Sequence, residues 1–110
     1  MYFDLLAEMV RYIEKMYPEN RFFTNEREKK FFLSEHQLRL YSAKLWACET
    51  LIELCLQNQA NNPINVIEEF VELHEIMIGE LGLDNTKREY FAAALSVAYD
   101  ILGHLKKVSK

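Results

Sequence analysis

Glycine occurs only three times and proline only twice in this chain of 110 residues. Sheets, hairpins and long loops draw on both for their turns, so a fold built from them is not expected. Cysteine is also scarce. Cys48 and Cys55 lie seven positions apart in one predicted helix. At ~1.5 Å of rise per residue their backbones sit about 10 Å apart, beyond the reach of a disulfide. They read as reduced, buried small hydrophobes of a cytoplasmic protein. No apolar run approaches the ~18 residues of a membrane span. Met1-Tyr2-Phe3-Asp4 shows no basic region, apolar stretch or cleavage site of a secretory signal. A cytoplasmic location without membrane association is therefore expected. Positive charge is missing from a long stretch: neither Lys nor Arg occurs between Lys44 and Lys87.

What is present points to helices. Half of the residues are apolar and 13% are aromatic, too many for a disordered chain. A single domain over residues 1–110 buries roughly two-thirds of the surface its unfolded chain exposes and needs no covalent staples. The apolar surplus predicts a homodimer. Leu, Glu, Lys and Ala dominate the long segments, and all four are good helix formers.

Apolar residues recur at helical spacing in four places. In 2–16, Tyr2, Leu5, Leu6, Met9, Tyr12, Ile13 and Met16 share a face, and Pro18 ends the run. Asn25 followed by Glu28 marks a short helix at about 26–32. Ser34 to Gln37 forms a capping box, with Leu33 and Leu38 as a staple, opening a helix from Glu35 to about Asn58. Its seam is Leu38, Tyr41, Leu45, Cys48, Ile52 and Cys55. Leu40, Ala47, Leu51 and Leu54 make a second apolar face, which predicts a central position. Asn62-Pro63 starts a helix over 63–81, closed by Gly82. Its apolar face is Val66, Ile67, Phe70, Val71, Leu73, Met77, Ile78 and Leu81. Thr86 to Glu89 reads as another capping box, opening a last helix to about Lys107. Short connections favour antiparallel neighbours. The expected fold is all-α: a compact antiparallel bundle of four main helices plus one short helix.

His74 lies at the centre of the apolar stripe of helix 63–81. It reads as a core histidine satisfied by hydrogen bonds to a tyrosine or to Glu49, which flanks the seam of the preceding helix. The functional alternative is a general base or metal ligand inside the bundle. No histidine has an acid three positions before it, so the Glu-x-x-His of di-iron bundles is missing. Asp100 and His104 are four apart and can touch on one helix surface. No metal site and no cofactor are expected.

Charge distribution says more. Between Lys44 and Lys87 there are eight acids: Glu49, Glu53, Glu68, Glu69, Glu72, Glu75, Glu80 and Asp84. Glu68, Glu69, Glu72, Glu75 and Glu80 fall opposite the apolar stripe of one helix. Such a run can simply solvate its helix. Exposed helices more often mix signs, however, and a one-signed face suits a basic protein partner.

The Glu-Glu-x-x-Glu of Glu68, Glu69 and Glu72 resembles the first half of the metal-binding motif of MazG-type all-helical nucleotide pyrophosphohydrolases. That resemblance implies carboxylates holding magnesium against a triphosphate. The second half of the motif, Glu-x-x-Asp one helix later, is missing: Ala92 follows Glu89 and Val97 precedes Asp100 at that spacing.

Positive charge gathers in 21–44 as Arg21, Arg27, Lys29, Lys30, Arg39 and Lys44, interleaved with Phe22, Phe23, Phe31 and Phe32. Basic residues among aromatics can track single-stranded nucleic acid. Glu19, Glu26, Glu28 and Glu35 dilute the patch, and the chain carries −4 overall. The phenylalanines are better used capping the bundle or filling a dimer interface. The reading that results is a non-enzymatic interaction or regulatory protein that turns its acidic helix toward a basic partner. A small metal-dependent enzyme built around His74 and the helix carboxylates is the alternative; nucleic-acid binding through 21–44 is a second one.

Overall fold

The computed structural model describes residues 2–17, 35–80 and 84–109, with Glu80 described in its backbone only. Four helices run through them: α1 (Phe3–Met16), α2 (Glu35–Gln57), α3 (Pro63–Glu80) and α4 (Asn85–Val108). No strand occurs among the described residues, and the helices pack as a compact all-α bundle. The expected short helix at 26–32, the Ser34 cap, the Gly82 stop and the four phenylalanines at 22, 23, 31 and 32 lie outside the described residues.

The helix starts follow from cap chemistry. Asn62 accepts the amide proton of Ile64 through Oδ1 at 3.0 Å, and Pro63 takes the first helical position, where it has no N–H to leave unpaired. The start of α4 departs from expectation. The cap is Asp84, whose Oδ1 accepts the Lys87 amide proton at 2.8 Å. Thr86 is already inside the helix. An aspartate two residues upstream is a stronger N-cap than threonine, and its charge also suits the helix dipole. At the other end of α1, the Tyr17 amide donates to the Ile13 carbonyl at 2.9 Å and closes the last turn.

α2 and α4 form the central pair, each packed against the other three helices. The central place expected of α2 is therefore shared with α4. The most deeply buried line on α2 is Ala43, Ala47, Cys48, Leu51 and Cys55, while Leu38, Tyr41, Leu45 and Ile52 of the expected main seam are only half-buried. Small alanines let backbones approach closely, and α4 supplies Ala94 and Ala98, both buried, beside Val97, Ile101 and Leu105. α1 adds Leu6, Met9 and Ile13 to the core. α3 adds Val66, Ile67, Phe70 and Val71. Leu73, assigned to that apolar face from the sequence, instead stands exposed. It sits at the margin of the stripe, where a small rotation of the helix decides which side it joins. Both cysteines are buried thiols, and burial pushes Cys55 up to about 11.

Candidate functional site

The outer side of α3 is fixed by the burial of its inner side. With Ile67, Phe70, Val71 and His74 turned into the bundle, the 100° step of the helix carries Glu68, Glu69, Glu72 and Glu75 to the exposed side. The side chain of Glu80 lies outside the described part. Glu68 is ion-paired with Lys106 of α4 at 3.3 Å. No ion pair joins Glu69, Glu72 or Glu75 to a cation among the described residues. Ile76 emerges in the middle of these glutamates, 48% exposed, and Leu73 at their edge, 56% exposed. Neither helps to fill the core.

Beside this face a groove of 460 Å³ runs between α2 and α3. Trp46, Thr50 and Asn58 line one wall; Asn65, Glu69 and His74 line the other. The described residues of its lining include one carboxylate, Glu69, and no Lys or Arg.

His74 is buried, as its place on the stripe predicts, but its hydrogen-bond partner differs from expectation. Glu49 is exposed on α2 and does not bond to it. The Nδ1–H instead donates to the Phe70 carbonyl one turn earlier at 2.8 Å. A carbonyl can only accept, so Nδ1 must carry a proton, and Nε2 is the acceptor of the neutral ring. The i−4 carbonyl is within reach on the same helix, so the ring needs no carboxylate from α2. Aromatic rings enclose it: Phe70 at 4.1 Å between centroids, Trp46 at 5.7 Å edge-on and Phe91 at 5.8 Å.

A second polar group joins α1 to α4. Asp100 accepts the Tyr12 hydroxyl at Oδ1 (2.6 Å) and the Tyr17 hydroxyl at Oδ2 (2.7 Å). His104 stacks on Tyr12 with centroids 4.0 Å apart, and its Nε2 meets Glu8 Oε1 at 2.9 Å. Asp100 and His104 thus reach across to α1 rather than to each other. The hydrogen bond from His104, aided by Arg11, holds the Glu8 carboxyl below its ordinary range. The hydrogen bond to Asp100, with burial, pushes the Tyr12 phenol up to about 12. Burial first, then the Asp100 bond, raises Tyr17 as well. Phenols held this firmly protonated cannot act as bases near neutrality, and both oxygens of Asp100 are engaged. The cluster is a fastening between helices.

Among the described residues no group of three or more His, Cys, Asp or Glu side chains converges as metal ligands would. No helix there is long and apolar enough to cross a membrane. Arg39 and Lys44 of the basic segment are exposed on α2; its other cations lie outside the described residues. Sequence reasoning missed Trp46 and the groove altogether. The only available signal was an aromatic on the same helix as the seam, which does not distinguish a groove wall from core. No protein-family model matches the chain, and neither does any curated protein or solved structure.

Proposed function

We propose that this chain is a non-enzymatic interaction protein that binds a basic protein segment on the outer face of α3. The observation that carries the reading is the composition of that face. Glu69, Glu72 and Glu75 are exposed without a cation among the described residues, and Ile76 and Leu73 are exposed among them. Like charges at helical spacing repel, and exposed apolar side chains gain nothing from water, so folding alone does not favour this arrangement. A basic amphipathic segment relieves both: its cations meet the carboxylates and its apolar side chains cover Ile76 and Leu73. Two buried thiols suit a reducing, cytoplasmic setting. The apolar surplus, including exposed Tyr2, Phe3 and Tyr99, supports a homodimer. Light scattering at the monomer mass of 13.1 kDa at tens of micromolar would remove the dimer from the proposal.

The test of the interface is a pull-down from host lysate with wild type and with a Glu72→Gln, Glu75→Gln variant, at low and high salt. Loss of the same basic protein on substitution and with added salt is the expected outcome. A partner retained equally by both proteins at both salt levels overturns the reading.

A further inference from the structure

The groove between α2 and α3 carries a carboxylate and several hydrogen-bond acceptors but no Lys or Arg among its described lining residues. His74 spends its Nδ1–H on the Phe70 carbonyl, so Nε2 is the position at which an uncharged ring accepts a hydrogen bond. Asn58 donates one Nδ2 hydrogen to the Leu54 carbonyl at 2.8 Å, and its Oδ1 stays available as an acceptor beside the second Nδ2 hydrogen. Glu69 adds a carboxylate, and no Lys or Arg is found among the described lining residues. An anion would meet negative charge with no Lys or Arg among the described lining residues to offset it. A cationic group would meet a carboxylate and acceptors, beside the neutral amides of Asn61 and Asn65 and the Thr50 hydroxyl. Trp46 supplies an aromatic wall, and the volume of 460 Å³ falls in the range of pockets that enclose small groups.

We propose that this groove receives the guanidinium of an arginine side chain carried by the basic partner, a refinement that rests on the reading of the α3 face as the partner surface. Guanidinium is planar, has five donors and no acceptor, and stacks on indole. It therefore satisfies Glu69, His74 and Asn58 while lying against Trp46. A lysine ammonium is a compact, strongly hydrated point charge that cannot stack in this way. The acidic face treats both cations nearly alike; the groove distinguishes them. Glu69 and Leu73 line the groove and also edge the acidic face, so one bound segment can occupy both.

The experiment titrates the full chain with hexa-arginine amide and with hexa-lysine amide. Calorimetry gives the affinities, and emission from Trp46, the only tryptophan, gives occupancy of the groove. The expected result is about tenfold tighter binding of hexa-arginine, with a change in Trp46 emission that hexa-lysine does not produce. Glu75→Gln, on the face but outside the groove, should weaken both peptides equally and leave their ratio intact. Glu69→Gln, an exposed position that spares the fold, should bring the ratio close to one, and His74→Gln should do the same with the helical circular dichroism unchanged. Equal, salt-sensitive binding of both peptides to wild type overturns the groove assignment and leaves the acidic interface standing. An arginine preference that survives in both groove variants also overturns it. If agmatine alone changes Trp46 emission while neither peptide binds, the groove takes a free small cation, and both the partner arginine and the partner surface fall. If none of the three probes binds, both readings fall together.

Discussion

Tyr17, the residue that follows the last turn of α1, donates its hydroxyl proton to Asp100 of α4 at 2.7 Å, although the two stand 83 positions apart in the chain. The same carboxylate accepts Tyr12, so one side chain of α4 holds one from α1 and one from the residue just after it. Hydrogen bonds to a charged acceptor contribute about 1.5–3 kcal/mol, and the partial exposure here places each of these toward the lower end. Tyr17→Phe should therefore cost about 1–2 kcal/mol of unfolding free energy. Asp100→Ala should cost more, because it strands two phenols. A double-mutant cycle in urea should show coupling between Tyr17 and Asp100. Additive effects would mean that the bond contributes nothing.

The raised phenols predict an alkaline limit. Unfolding favours their ionisation, so the stability they contribute is whole below about pH 10, the ordinary tyrosine value. It is lost as pH climbs through the raised folded value, about 12 for Tyr12. Absorbance near 295 nm should show two phenols ionising late, and Asp100→Asn should bring both earlier. An unchanged titration in that variant would contradict the assignment.

Glu8 gives the acid counterpart. Its depressed carboxyl contributes stability that is present above the ordinary glutamate value and is lost as pH falls through the folded one. The hydrogen bond from His104 is the larger cause and Arg11 the smaller. His104→Leu should shift the Glu8 titration, followed by carboxyl carbon resonances, part of the way back up. Arg11→Ala should shift it less.

Burial predicts silent thiols. Cys48 and Cys55 have almost no accessible surface, and burial holds Cys55 up to about 11. A disulfide reagent should react with neither within minutes at neutral pH and with both after unfolding. Rapid labelling of the native protein would show that α2 opens locally.

Packing separates Leu51 from Ile76. Leu51 is wholly buried, and Leu51→Ala should cost about 2–5 kcal/mol by opening a cavity. Ile76 stands in water, so Ile76→Ser should change stability by less than about 0.5 kcal/mol. It should nevertheless weaken capture of the basic partner. Wild-type capture by Ile76→Ser would take the apolar component out of the interface.

Helices were legible because the chain repeats apolar residues at helical spacing and marks its starts with caps. Asn62-Pro63 behaves as read. Asp84 was overlooked because Thr86 and Glu89 form a complete box on their own, and only the geometry shows the helix already begun. The burial of His74 follows from its neighbours on the wheel, whereas its bond to Phe70 is a rotamer choice that spacing leaves open. The Tyr12, Tyr17 and Asp100 contacts and the Trp46 wall depend on which helices meet. No local pattern encodes a contact between positions 83 apart.

The long absence of Lys and Arg has a consequence for covalent mapping. Every described residue that lines the groove, from Trp46 to His74, lies between Lys44 and Lys87. Trypsin cleaves only after Lys and Arg, so both walls leave a digest as one peptide spanning 45–87. A photo-crosslinked ligand seated in the groove will therefore be recovered on that single fragment, whichever helix it touches, and sequencing within the fragment then separates the α2 wall from the α3 wall.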